Sequence, residues 1–151
     1  MSSNPLPTEP ATKNPAKEWT IRYTGDEFFT ATVPSGYEIK IDVKSGRRAA
    51  AGPLELFIAG LASCTAADVI SVLQKKRQQV TGYSVEVHTQ RREDHPRAFT
   101  RIELKHIVRG KQVSPEAVQR AIDLSTNTYC SAVATVRPTA EVVTTFEIVE
   151  E

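Results

Sequence analysis

A single mixed helix-and-strand domain is what this 151-residue sequence predicts, on three observations. Alternating apolar positions recur in short runs near the start, middle and end of the chain. One long segment carries apolar residues at three- and four-residue spacing, the helical period. A hydrophobic content of 40% is enough for a core without a structural metal or a disulfide framework.

Residues 1–17 hold four of the nine prolines among Ser, Thr, Asn and Lys and offer no periodic apolar face, so they are expected to form a flexible tail ahead of a domain over 18–151. Trp19, Ile21 and Tyr23 alternate, Gly25-Asp26 turns the chain, and 29–33 returns as a second strand. Pro34-Ser35-Gly36 turns it again into a third strand carrying Ile39, Ile41 and Val43. The expected opening is an antiparallel meander.

After a strandless stretch over 44–52, Pro53 preorganises a first helical turn. Phe57, Ile58, Leu61, Thr65, Val69, Val72 and Leu73 keep helical spacing, which predicts a helix over 53–80. Basic residues at 75–77 would suit the negative end of its dipole. Residues 57–67 are apolar or small almost all round, the mark of a deep core or an interface between subunits. Two further alternating runs, around Val85 to Thr89 and Ile102 to Val108, should pair as strands. Ser114-Pro115 caps a second helix, a short helix follows up to Val136, and Val142, Thr144, Phe146 and Ile148 close the chain as a strand.

The formal charge of +1 supplies no general attraction to nucleic acid or anionic membranes. There is no secretory leader pattern and no run expected to reach the roughly 20 apolar residues of a membrane span, so a cytoplasmic protein is expected. His88, His95 and His106 have no metal-ligand spacing, and no metal site is expected. In a reducing compartment two cysteines 66 positions apart read as buried thiols or as redox-active ones rather than as a structural bridge.

Both cysteines lie in distinctive surroundings. The segment Gly52-Pro53-Leu54-Glu55-Leu56-Phe57-Ile58-Ala59-Gly60-Leu61-Ala62-Ser63-Cys64-Thr65-Ala66-Ala67-Asp68-Val69 and the segment Tyr129-Cys130-Ser131-Ala132-Val133-Ala134 resemble, in order and in element context, the two cysteine-bearing segments of the OsmC/Ohr family. The resemblance runs from Trp19 to Glu150. It implies an α+β fold, an intertwined homodimer with antiparallel sheets around long central helices, and thiol sites at the dimer interface.

It also implies an activity: thiol-dependent peroxidase reduction of organic hydroperoxides, in oxidative-stress defence. Cys64 would be the peroxidatic nucleophile and Cys130 the resolving thiol, with an external dithiol or lipoyl-type reductant and no bound cofactor. The other reading is a non-enzymatic OsmC-like dimer that binds a small hydrophobic ligand or a protein partner while its thiols stay inert.

Two features depart from the family pattern. The thiolate-stabilising arginine of the first hairpin is missing, since the turn reads Thr24-Gly25-Asp26-Glu27-Phe28. Arg22, Arg47 and Arg48 are the candidates to replace it, because Asp68 is the charged residue on the cysteine's own helical face. The glutamate that orients that arginine stands ten residues before the cysteine in Ohr proteins, where this chain has Leu54. Glu55, nine residues before, is a candidate site residue. At about 100° and 1.5 Å per residue it would sit on the opposite face from Cys64, roughly 13 Å along the axis, so it could serve only from a non-helical entry turn or by reaching a partner subunit's thiol.

Overall fold

The computed structural model describes residues 18–151, and the tail expected over 1–17 lies outside them. The chain divides into two compact units, 1–53 and 54–151.

In the first unit, β1 (Thr20–Gly25), β2 (Phe28–Thr32) and β3 (Glu38–Asp42) form the expected antiparallel meander. The β1–β2 turn needs left-handed backbone at both central residues, and Asp26 and Glu27 adopt it at φ 48° and 58°, the geometry that matches the twist of a tight hairpin. Asp42 organises the loop that leaves β3. Its buried carboxylate accepts from the backbone N–H of Lys44 and of Ala49, both at 3.0 Å, and from the Arg47 guanidinium at 2.9 Å. Arg47 also reaches Asp26 at 2.8 Å and lies over the Phe28 ring at 3.8 Å. The Arg47 guanidinium, together with those two backbone donors, holds the Asp42 carboxyl well below the usual carboxylate range against the opposing effect of burial. The loop is thereby fastened to the hairpin tip, and Ile41 bridges Ala51.

In the second unit, α1 (Pro53–Lys75) buries a stripe of Leu61, Thr65, Val69 and Leu73, one residue per turn. The helix stops five residues short of the expected end. Arg77 turns into left-handed backbone at φ 55°, and β4 (Gln79–Arg91) starts directly after it. β4 pairs antiparallel with β5 (Phe99–Lys111), as expected. β6 (Glu141–Glu150) joins the other side of β5 in parallel, so this second sheet is mixed. Parallel entry needs a crossover, and the crossover is α2 (Pro115–Leu124), a π-helical turn (Ser125–Tyr129) and α3 (Ser131–Val136). α2 begins where its sequence predicts: the Ser114 hydroxyl accepts from the Ala117 N–H at 3.2 Å with Pro115 in the first turn.

β5 is the floor of the core. Ile102, Leu104, His106 and Val108 are buried on one face. Leu61, Ile102, Leu104, Val136 and Ala140 form one apolar cluster, and Val69, Leu73, Val108, Val118, Ala121 and Ile122 lie in the other. Each large aliphatic side chain buried this way contributes about 1.5–3 kcal/mol. At one end Gly110 lets two segments meet, since a Cβ there would lie 2.0 Å from the Gln79 carbonyl oxygen and 2.8 Å from a Val113 methyl. Gly110→Ala is therefore expected to lower stability by about 2 kcal/mol, read as a drop in the urea midpoint. An unchanged midpoint would mean that β4 and β5 separate there at no cost.

By length and hydropathy α1 is apolar enough to cross a membrane, although the sequence pattern leads one to expect no such segment. Its buried stripe packs on the sheet as a core helix of a soluble fold does. Only 28% of its most apolar window is buried, and Leu54 and Phe57 stay 42% and 46% exposed, so a broad apolar face is left uncovered by the chain's own second unit.

Candidate active site: a dithiol between two helices

Cys64 lies in the middle of α1 and Cys130 immediately precedes α3, 66 positions apart in sequence. The fold brings them together: both are free thiols, Cys64 half-buried and Cys130 buried, and Cys64 lies close enough to Cys130 to push its thiol pKa upward. Two-thiol chemistry requires this proximity, and the sequence could only imply it.

The Cys130 sulfur caps the first turn of α3, accepting from the Val133 N–H at 3.4 Å. Burial pushes the Cys130 thiol up, and the neighbouring Cys64 sulfur adds to the effect, outweighing the backbone donors of Val133 and Ala132. Cys130 therefore keeps its proton at neutral pH.

The Cys130 backbone is set by the π-helical turn, for its N–H donates to the Ser125 carbonyl at 2.8 Å. Ser125 is fully buried, and its hydroxyl donates to Asp68 Oδ2 at 2.9 Å and meets the Thr65 hydroxyl at 2.8 Å. A serine has one proton to give, so Thr65 is the donor to Ser125. Sequence spacing alone marks Thr65 as an apolar-face residue, Asp68 as a lone charge and Ser125 as part of the α2 face, and it misses their connection. The available signal is that hydroxyls on buried faces need partners.

An apolar pocket of about 310 Å³ lies between the two helices, lined by Phe57, Gly60 and Leu61 of α1 and by Ala132, Thr135 and Val136 of α3. Gly60 and Leu61 are one turn from Cys64.

Glu55 is not brought to the dithiol within the chain. It sits in the first turn of a continuous α1, which removes the entry-turn alternative, and it lines a different pocket with Ile58, Ala59 and Val87. Among the candidate cations, Arg22 pairs with Glu38 at 3.6 Å and Arg47 with Asp42 and Asp26, all in the first unit, while Arg48 is exposed. The cation linked to the Cys130 segment is Arg137, whose guanidinium donates to the Asn127 side chain in the π-helical turn at 3.4 Å. No cluster of metal-ligating side chains occurs among the described residues.

Residues 44–145 match the family model described as OsmC-like protein. Protein YhfA of Escherichia coli (strain K12) is 38% identical over 121 residues, which is 80% of this chain and 90% of that one. Among solved structures, a hypothetical protein from Aquifex aeolicus VF5 is 30% identical with a TM-score of 0.80, over 91% of this chain and 99% of the other. An organic hydroperoxide resistance protein from Elizabethkingia anophelis shares the fold at 19% identity and a TM-score of 0.66, over 91% of this chain and 100% of that one.

Proposed function

From the premise that the chain belongs to the OsmC-like family, we propose that it is a thiol-dependent peroxidase for organic hydroperoxides, with Cys64 peroxidatic and Cys130 resolving. The observation that carries this reading is the meeting of two free thiols from separate helical segments, close enough for Cys64 to push the Cys130 thiol up, with an apolar pocket one helical turn along α1. The family's relation to an organic hydroperoxide resistance protein supports it.

The Cys64 thiolate attacks the terminal oxygen of ROOH. An S–O bond forms, the O–O bond breaks, and Cys64 becomes a sulfenic acid while RO⁻ departs. The Cys130 proton passes to the alkoxide, giving ROH and leaving Cys130 as a thiolate. That thiolate attacks the Cys64 sulfur, forms the disulfide and releases hydroxide, which solvent protonates to water. An external dithiol, lipoyl-type or otherwise, then exchanges into the disulfide and restores both thiols. The 310 Å³ pocket, with no charged residue in its lining, favours an apolar R group.

The active unit in this reading is a homodimer. The uncovered apolar face of α1, with Leu54 and Phe57, is the surface a second copy would bury, and Glu55 could meet a thiol only from the partner chain. A cytoplasmic site of action goes with the need for a dithiol reductant.

One observation favours the second reading, an inert dimer that holds a hydrophobic ligand: Arg22 and Arg47 already pair with acids of their own unit. The assay that decides is consumption of cumene hydroperoxide with dithiothreitol as reductant. The peroxidase should turn over, and without reductant one equivalent of peroxide should remove two thiols per chain. No consumption, with both thiols still titratable, overturns the reading.

A further inference from the structure

The buried polar link Asp68–Ser125–Thr65 sits in an otherwise apolar layer. Thr65 and Ser125 are both fully buried, and burying two hydroxyls and part of a carboxylate is unfavourable unless every proton is placed. They are placed: Thr65 donates to Ser125, and Ser125 donates to Asp68 at 2.9 Å. The link joins the two cysteine segments at their nearest neighbours. Thr65 follows Cys64 in the chain and Asp68 lies one turn along the same helix face. Ser125, on the other segment, opens the π-helical turn and accepts the Cys130 N–H through its carbonyl. Such π turns interrupt the regular hydrogen-bond ladder, so this one has an anchor outside its own helix.

We propose that Asp68, acting through Ser125, is a positioning residue for the dithiol: it holds the π-helical turn against α1, keeps Cys130 within reach of Cys64 and so favours closure of their disulfide. The inference rests on the dithiol reading of the site, though not on peroxide as the oxidant. Asp68 touches no reacting atom in this role. It fixes the oxygen that fixes the serine whose carbonyl fixes the Cys130 backbone. A charge-assisted hydrogen bond to a buried hydroxyl suits the task.

The test is thiol–disulfide exchange on the full-length protein in mixtures of reduced and oxidised dithiothreitol: the protein dithiol gives up two hydrogens and closes its disulfide as the cyclic disulfide of dithiothreitol opens to the dithiol. The fraction closed is read by alkylation and mass. Asp68→Ala and Ser125→Ala are expected to lower the equilibrium constant about tenfold, equivalent to a rise in reduction potential of about 30 mV. Asp68→Asn, whose amide oxygen still accepts from Ser125, should stay near wild type. Thr126→Val should do the same, because it removes a bond from the same turn, to the Ile122 carbonyl at 2.8 Å, that does not reach α1. A wild-type constant in Asp68→Ala, an Asp68→Asn as impaired as Asp68→Ala, or a Thr126→Val that falls as far would each overturn the proposal. No peroxide enters the measurement, so a wild-type protein that ignores hydroperoxides would end the peroxidase reading and leave this one standing.

Discussion

Cys64→Ser is expected to abolish hydroperoxide consumption, a loss of at least about a thousandfold, because the serine hydroxyl is not ionised at neutral pH and oxygen is a far poorer nucleophile than a thiolate toward peroxide. Cys130→Ser should behave differently. Its first turnover proceeds, since Cys64 and the apolar pocket remain, and the chain then stops with a sulfenic acid at Cys64 or a mixed disulfide with the external thiol. Steady-state rate with dithiothreitol and mass analysis after one equivalent of cumene hydroperoxide separate the two variants. Turnover surviving Cys64→Ser would sink the assignment of the nucleophile, and normal cycling of Cys130→Ser would remove Cys130 from the mechanism. The contrast comes from geometry: Cys64 is half-buried, one helical turn from the pocket's Gly60 and Leu61, while Cys130 is buried, protonated and held by the π-helical turn and the Val133 N–H.

Much of this arrangement was legible in the sequence, for reasons that also explain what was not. α1 shows in its period because it buries one face, and a one-sided environment writes itself into a helix; the meander shows in its alternation although Trp19, Ile21 and Tyr23 stay exposed. The basic run at 75–77 fits equally well in a helix end and in an exposed turn, and it spans both: Lys75 closes α1 and Arg77 takes left-handed backbone. The parallel entry of β6 beside β5 leaves no trace in the alternation of β6, which would look the same in either direction. The dithiol is visible through segment resemblance, and its proximity is a tertiary fact. Glu55 illustrates the opposite case: helical geometry alone places it on the far side of α1 from Cys64, and there it lies. The Thr65–Ser125–Asp68 link is hidden because each member fits its own helix face, and only their meeting across 57–60 positions gives them a common purpose.

Stability is expected to fall on the order of 3 kcal/mol as the pH is lowered from about 6.5 to about 4, through His106. The alternation of β5 puts His106 on the same face as Leu104 and Val108, and its side chain is fully buried. Nδ1 shares a 2.6 Å hydrogen bond with the Tyr83 hydroxyl, whose ring stacks on the imidazole at 6.0 Å, and Nε2 is buried without a partner among the described residues. Burial thus disfavours the imidazolium and pulls the pKa from 6.5 down to about 4. Between those values the unfolded chain binds a proton at this residue that the native state refuses, so protonation favours unfolding; the contribution is complete above about 6.5 and gone below about 4. The Glu116 and Glu147 carboxyls, held below their ordinary value by their own backbone and Ser114 contacts and by Lys105 respectively, lose stabilisation as the pH falls through and below the ordinary glutamate range. The interval from pH 6.5 to 5 therefore isolates the histidine. Urea midpoints across it should slope downward for the wild-type protein and lie nearly flat for His106→Phe, whatever that replacement does to the absolute midpoint. An equal slope in both proteins would show that His106 takes up its proton in the native state without unfolding, which needs a water or an acceptor at Nε2.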